Sequence, residues 1–420
     1  MRYLYSLVFI ALLPFYIYGF IRGKTAKPSV GKRWIEHFGF AQSVHGRSQP
    51  LWIHAVSVGE VVAITPLIKR LHLQQPSINI LLTTTTPTGA KQAELLADYV
   101  SHCYMPLDLS FAIKGFLKRV RPSKLVIVET ELWPNVLHHV EKKGIPIIVV
   151  NARMSERSFS RYKKIPGLFQ LIGPKLSEVL CHHSQDAQRF IKLGLSPHRV
   201  SVTGSIKYDL EIPSDAIEQG RQLREALFGV RPVWVLASSH RGEDEKILRA
   251  HEALLKRFPD LLLILVPRHP ERFNEVFNLA LKSGFNTVRR SSEAPVLPEI
   301  SVYLADSMGE MLTILSMSDI CFMGGSLLGK QVGGHNLLEP AALGIPTIIG
   351  PSFANFKEIT QELIDAGATE IAESEEEIIA AVEALLGSEV LRDIRGTNAV
   401  RVVAQNRGAI SKSIEKIIIG

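Results

Sequence analysis

Short apolar runs alternate with helix-period segments twice along this chain of 420 residues. In the first half the runs cover residues 51–56, 78–84, 125–128, 145–150, 179–181 and 200–203, with helical patterns over 61–71, 88–99 and 136–142. A second series, at 233–237, 261–266, 302–304, 320–323 and 347–349, repeats the plan. Apolar runs without polar alternation read as strands buried on both faces, the pattern of a parallel sheet covered by helices. The chain is therefore expected to be α/β, with two Rossmann-like doubly wound domains facing a central cleft. Their junction falls in the polar stretch 205–232. More than one core is also expected from length, since single cores stop growing near about 250–300 residues.

Ahead of the first domain, residues 3–21 are 19 positions without a charge, enough to cross a bilayer as a helix. Arg22, Lys24, Lys27, Lys32 and Arg33 follow at once, against Arg2 before it. The positive-inside rule then keeps the rest of the chain cytoplasmic, and the same bias argues against a cleaved signal peptide. Pro14 leaves a kinked or interfacial helix open. The expected division is a membrane anchor over 1–22, an N-terminal acceptor-binding domain over 23–210 and a C-terminal nucleotide-sugar domain over 211–420. A formal charge of +7 suits an anionic ligand or lipid surface, and no RNP, zinc-finger or basic-aromatic motif points to nucleic acid. Cys103, Cys181 and Cys321 are widely spaced and form no CxxC, which fits a reducing compartment rather than a disulfide framework.

Ligands of doubly wound sheets bind outside the carboxyl ends of the strands, and the polar motifs lie there. Gly324-Gly325-Ser326 and Gly333-Gly334-His335-Asn336-Leu337-Leu338-Glu339-Pro340 follow the run 320–323. Glycine turns before a helix bring backbone N–H groups against a phosphate, and Glu339 one turn on is placed for a ribose diol. Together these point to a nucleotide sugar. Glu60 sits in the first turn of the helix after 51–56, where the dipole favours its anion; it reads as a general base or as half of a Ser57-x-x-Glu60 capping box. Glu129 and Glu131 close another strand, two apart and so on one side of it, with pairing to a buried arginine as the plain alternative for Glu131. Lys207 ends the last strand of the first half, where it can neutralise a departing phosphate. His240-Arg241 and Arg268-His269 stand at strand-to-helix corners of the second half, with Pro270 suited to the first helical position. Gly309, Glu310 and Met311 open a helix whose free N–H groups suit a phosphate, unless Ser307-x-x-Glu310 is simply a capping box. No metal-ligand spacing is present: there is no HExxH, Cys/His cluster or Asp-x-Asp.

SVGE at 57–60, ETELWPN at 129–135, GSIKYD at 204–209, SSHRGE at 238–243, PRH at 267–269, DSMGEM at 306–311 and GGHNLLEP at 333–340 occur in this order behind the uncharged N-terminus. In this the chain resembles the 3-deoxy-D-manno-octulosonic acid (Kdo) transferases of Gram-negative bacteria over nearly its whole length. The resemblance implies a GT-B fold and an inverting, metal-independent transfer of Kdo from CMP-Kdo to the lipid A precursor at the cytoplasmic face of the inner membrane. It implies Glu60 as the base, Glu131 and Lys207 as transition-state stabilisers, and CMP held by Arg268, His269, Gly309, Glu310, Met311, Asn336, Leu337, Leu338 and Glu339. Another GT-B activity, such as a heptosyltransferase or nucleotide-sugar epimerase, and a membrane-tethered nucleotide-sugar binder are the alternatives.

Overall fold

Strands buried on both faces need helices above and below, and both sheets meet that need. The computed structural model describes residues 2–7, 9–11, 31–41 and 49–419. The chain divides into two compact units, Met1–Asp209 with Asn406–Gly420, and Leu210–Gln405. In the first, β1 (Leu51–His54), β2 (Ile80–Thr84), β3 (Ser101–Tyr104), β4 (Lys124–Val128), β5 (Ile147–Ala152), β6 (Glu178–Cys181) and β7 (Val200–Val202) form one parallel sheet in the order β3-β2-β1-β4-β5-β6-β7. In the second, β8 (Val233–Ser239), β9 (Leu262–Pro267), β10 (Thr287–Arg289), β11 (Val302–Leu304), β12 (Ile320–Met323), β13 (Thr347–Ile349) and β14 (Thr369–Ile371) form another, ordered β10-β11-β9-β8-β12-β13-β14. Every pairing in both sheets is parallel, as the apolar runs require.

Three strands have no counterpart among the expected runs: β3, β10 and β14, each at an edge of its sheet. An edge strand meets a neighbour on one side only, so its sequence need not be a continuous apolar run. Inside the sheets the period-2 alternation sorts side chains to opposite faces. On β1, Trp52 joins the cluster containing Phe116 and Phe169, while Leu51 and Ile53 join the one containing Ile64, Leu67 and Ile68. The buried Trp52 indole donates to Thr83 Oγ1 at 2.9 Å, so its polar edge is satisfied.

The division at 211–420 needs one correction. Residues 406–420 return to the first unit. The helix Ala409–Ile419 buries Ala409, Ile410, Ile414 and Ile417 in the cluster of Leu51, Ile53 and Val126. The Asp209 carboxylate accepts the amides of Gly408 and Ile410, fixing the start of that helix. Each buried isoleucine contributes about 1.5–3 kcal/mol, which holds this segment to the first unit.

Of the expected anchor, residues 12–22 and the basic residues up to 30 lie outside the described residues. Residues 2–7 and 9–11 are helical. Asn135 Nδ2 donates to Ser6 Oγ at 2.9 Å, and Phe9 packs on Leu107, Leu109 and Ala112. Among the described residues no helix is long and apolar enough to cross a membrane.

Candidate active site

Parallel strands put all their carboxyl ends on one edge, and the sequence motifs follow those ends. In each sheet the strand order reverses beside the first strand, between β1 and β4 in one and β8 and β12 in the other. Such reversal points open a crevice between diverging loops.

In the first unit the crevice is acidic. The helix Val58–Gln74 begins directly after β1 with Ser57 at its cap, but the Ser57 side chain makes no cap bond. Glu60 instead folds back, accepting the Val56 amide at 2.6 Å and the Ser57 hydroxyl at 3.4 Å. The glutamate thus takes the amide before the cap residue rather than that of Ser57 itself, a variant of the expected capping box without its serine half. Burial raises the Glu60 carboxyl to about 7; the Val56 amide opposes this, and the charges of Glu129 and Glu131 add to it. The three carboxylates thus share one electrostatic neighbourhood, drawn from the loops after adjacent strands β1 and β4.

Glu129 and Glu131 do not alternate along a strand as expected. β4 ends at Val128, and Glu129 takes the left-handed conformation with φ 61°. A non-glycine residue there is strained, and such strain gathers at functional sites. Among the described residues Glu131 has no arginine partner; its carboxylate accepts the Trp133 indole N–H at 3.1 Å. The following helix, Pro134–Glu141, is capped from another loop. Asp108 accepts the amides of Asn135 and Val136 at 3.1 and 2.8 Å, and Asn135 Nδ2 donates to the Asp108 carbonyl. Nothing local in the sequence signals Asp108, because its partners lie 27 and 28 residues away.

Lys207 occupies the turn Ile206–Tyr208 after β7. Asn151, itself left-handed at φ 57°, accepts the Ile206 amide at 3.1 Å and the His182 ring nitrogen, so β5 fixes the turn that carries Lys207. The Lys207 ammonium has no hydrogen-bond or ion-pair partner among the described residues. It lies close enough to His182 to help hold that ring neutral, after the larger effects of burial, Arg153 and His183.

In the second unit the glycine turn differs from expectation. Glu243, fully buried, accepts the amides of Gly325, Ser326 and Leu327 at 2.7–3.0 Å and that of His240 at 2.9 Å. The N–H groups assigned to a phosphate are therefore taken by a side chain of the same fold. Glycine is still required: at Gly325 φ is +70°, and a Cβ would lie 2.8 Å from the His335 ring. Beneath this turn Arg272 pairs with Asp244 and donates to the Ser239 carbonyl at 3.0 Å. Ser239 Oγ donates to Asp244 at 2.5 Å, so a buried network holds the corner between β8 and β9.

On that base sits a histidine cluster. His240 and His335 stack at 10°, with their Nε2 atoms 2.9 Å apart, and His269 stands edge-on to His240 at 5.4 Å. Burial pulls His335 down to about 4, and His240, Arg268 and His269 push the same way. One ring of the neutral pair donates and the other accepts. His269 caps the turn Pro270–Arg272 as Pro270 implied. Arg268 beside it is exposed and without a partner among the described residues, whereas Arg241 has turned away to Glu275 at 2.5 and 3.0 Å.

The remaining expected ligands fare differently. Glu310 is bidentate to Arg290 at 2.5 and 2.7 Å, so its carboxylate is engaged, while Gly309 before it takes φ +82° and Met311 starts a short helix. Asn336 Oδ1 accepts the Leu338 amide at 3.2 Å. The side chains of Leu337 and Leu338 are core, which leaves only their backbone for a ligand. Glu339 is part-buried with no hydrogen-bond or ion-pair partner among the described residues, and burial raises its carboxyl. An unpaired acceptor of this kind suits a ribose diol. Sequence reasoning gave no role to Glu243, Asp244, Arg272 or the His240–His335 contact; SSHRGE marked the place without revealing that its last residue points inward.

Residues 32–210 match the family model of 3-deoxy-D-manno-octulosonic-acid transferase. The chain is 40% identical over 391 residues to the 3-deoxy-D-manno-octulosonic acid transferase of Haemophilus influenzae, covering 92% of this chain and 91% of that one. It is 31% identical over 421 residues to the transferase of the same name from Rickettsia bellii, covering 99% of each. Among solved structures it is similar to the UDP-GlcNAc 2-epimerase of Neisseria meningitidis bound to UDP-GlcNAc, with a TM-score of 0.57 and 13% identity over 88% of this chain and 100% of that one. A glycosyltransferase from Rickettsia africae aligns with a TM-score of 0.54 and 13% identity, covering 88% and 98%. At such identity these two show a shared GT-B-like fold and nothing of the chemistry.

Proposed function

The chain belongs to the 3-deoxy-D-manno-octulosonic acid transferase family, a glycosyltransferase of lipopolysaccharide biosynthesis, and we propose that it moves Kdo from CMP-Kdo to the lipid A precursor lipid IV-A with Glu60 as base. The observation that carries the assignment is the Glu60 carboxyl raised to about 7 beside Glu129 and Glu131 at the strand-order reversal of the first sheet. A base poised near neutrality takes a hydroxyl proton as the oxygen attacks, and needs little driving force to do so. The acceptor oxygen bonds to the anomeric carbon of Kdo, the bond to the cytidylate oxygen breaks, and the proton stays on Glu60. Glu131 stabilises positive charge developing on the sugar, and Lys207, with its unpaired ammonium, offsets the charge on the departing phosphate.

On the second unit, Arg268 and His269 hold the phosphate, the backbone of Gly309 to Met311 and of Asn336 to Leu338 meets the nucleotide, and Glu339 accepts the ribose hydroxyls. The engaged Glu310 carboxylate acts by fixing this loop. CMP leaves as a monophosphate, so the scheme needs no diphosphate-bound metal. Residues 1–22 anchor the enzyme in the inner membrane with both units on the cytoplasmic side, a reading supported by the uncharged run and the basic residues after it. Incubation with a CMP-Kdo source and tetra-acylated lipid A precursor, followed by mass measurement of the lipid, tests the function. Kdo addition by the native chain and none by Arg268→Ala is expected. UDP- or ADP-sugar turnover without CMP-Kdo turnover would overturn the donor assignment.

A further inference from the structure

At the edge of the first sheet away from Glu60, where β4 and β5 begin, the surface carries an open cavity of about 880 Å3. Its walls are the C-terminal ends of the helices Ser110–Val120 and Pro134–Glu141 and the loops leading from them into the sheet. Lys114, Lys118, Arg121, Lys142 and Lys143 line it, and no lining residue is acidic. None of the five has an ion-pair partner among the described residues. Cations near helix C-termini have a plain structural use, offsetting the dipole and the last carbonyls. Arg121 serves it, donating to the Lys118 carbonyl at 3.4 Å. That use does not extend to Lys114, in the middle of its helix, nor does it call for two helices to turn their cations onto one concavity.

The second observation is His139, which also lines the cavity. It is 7% exposed, and its Nε2 is buried with no hydrogen-bond partner among the described residues. Burial lowers it to about 4, and His138, Lys114, Arg2 and Lys142 add positive potential around it. The positive potential that these cations impose on the ring at the cavity wall marks the concavity as a place that favours negative charge. The volume lies within the range of ligand sites.

We infer that this cavity binds a phosphate-bearing anion, at a place distinct from the residues assigned to the transfer reaction. The phosphate belongs either to a lipid headgroup or to a free phosphorylated compound. Titration of the full chain with inorganic pyrophosphate, followed calorimetrically and by the His139 ring signals in NMR, tests for the site. Lys142→Ala with Lys143→Ala, both at exposed positions, is expected to weaken binding roughly 25-fold, about fivefold per cation removed. Binding weakens as ionic strength rises, because the cations are solvent-accessible. Vesicles of phosphatidylglycerol against phosphatidylcholine separate the sources. Anionic-vesicle binding that pyrophosphate competes away and the double variant loses assigns a headgroup; pyrophosphate binding without vesicle dependence on these lysines assigns a free compound. Equal affinity of native and variant chains for pyrophosphate, or His139 signals that do not move, overturns the inference.

Discussion

Exchanging Glu60 for glutamine keeps the side chain's shape and an acceptor for the Val56 amide while deleting its charge. The Glu60 carboxyl rises from its ordinary 4.5 to about 7, chiefly through burial, so the folded state binds this proton more tightly than the unfolded chain does. Its contribution to stability is therefore complete below 4.5 and is lost as pH rises through 7. The full displacement corresponds to about 3 kcal/mol at 1.36 kcal/mol per pH unit, and screening at this part-exposed group reduces it to about 1–2 kcal/mol. At pH 8, Glu60→Gln is thus expected to stabilise the chain by about 1–2 kcal/mol while abolishing transfer, with the gain disappearing at pH 4. Thermal or urea unfolding at the two pH values measures the first effect, and the lipid mass assay the second. In the native enzyme, kcat/KM at pH 6 is expected at about a tenth of its plateau, since a base with this pKa is about one-tenth ionised there. Glu129→Gln removes a neighbouring charge and moves the acid limb to lower pH. A limb below pH 5 in the native enzyme, or a Glu60→Gln protein less stable at pH 8, would refute the assignment of a catalytic carboxyl raised by burial.

Glu243→Ala strands four backbone amides in the interior of the second unit and is expected to cost about 3 kcal/mol in urea unfolding; a loss under about 0.5 kcal/mol would mean water replaces the carboxylate. Ile414→Ala opens a cavity beneath the C-terminal helix and is expected to cost about 3 kcal/mol in the same measurement, and a neutral result would show that the helix is not held by its buried face.

The interior strands were legible because parallel sheets bury both faces: β12 is wholly apolar, and β1, β4 and β8 are apolar but for His54, Lys124, Ser238 and Ser239 at their ends. β3, with Ser101 and His102 at its start, and the half-buried β10 escaped notice for the converse reason. At the site, Glu60, Arg268 and Glu339 could be singled out by residue type and position after a strand. The glycine turn could not be resolved the same way. Whether its amides face a ligand or a buried carboxylate depends on Glu243, 82 residues earlier than Gly325, and spacing carries no trace of that contact. Asp108 and Asn151 are hidden likewise, each acting on a loop from another strand.

The return of the C-terminal helix to the first unit bears on how the protein is made. Translation completes Leu51 to Asp209 early, yet the isoleucines that close over β1 and β4 emerge only after the whole second unit, Leu210–Gln405, has been made. The half synthesised first must wait, one hydrophobic flank open, until the half synthesised second has been threaded out. A stop codon just after Gln405 would therefore injure the unit made earlier and spare the one made later.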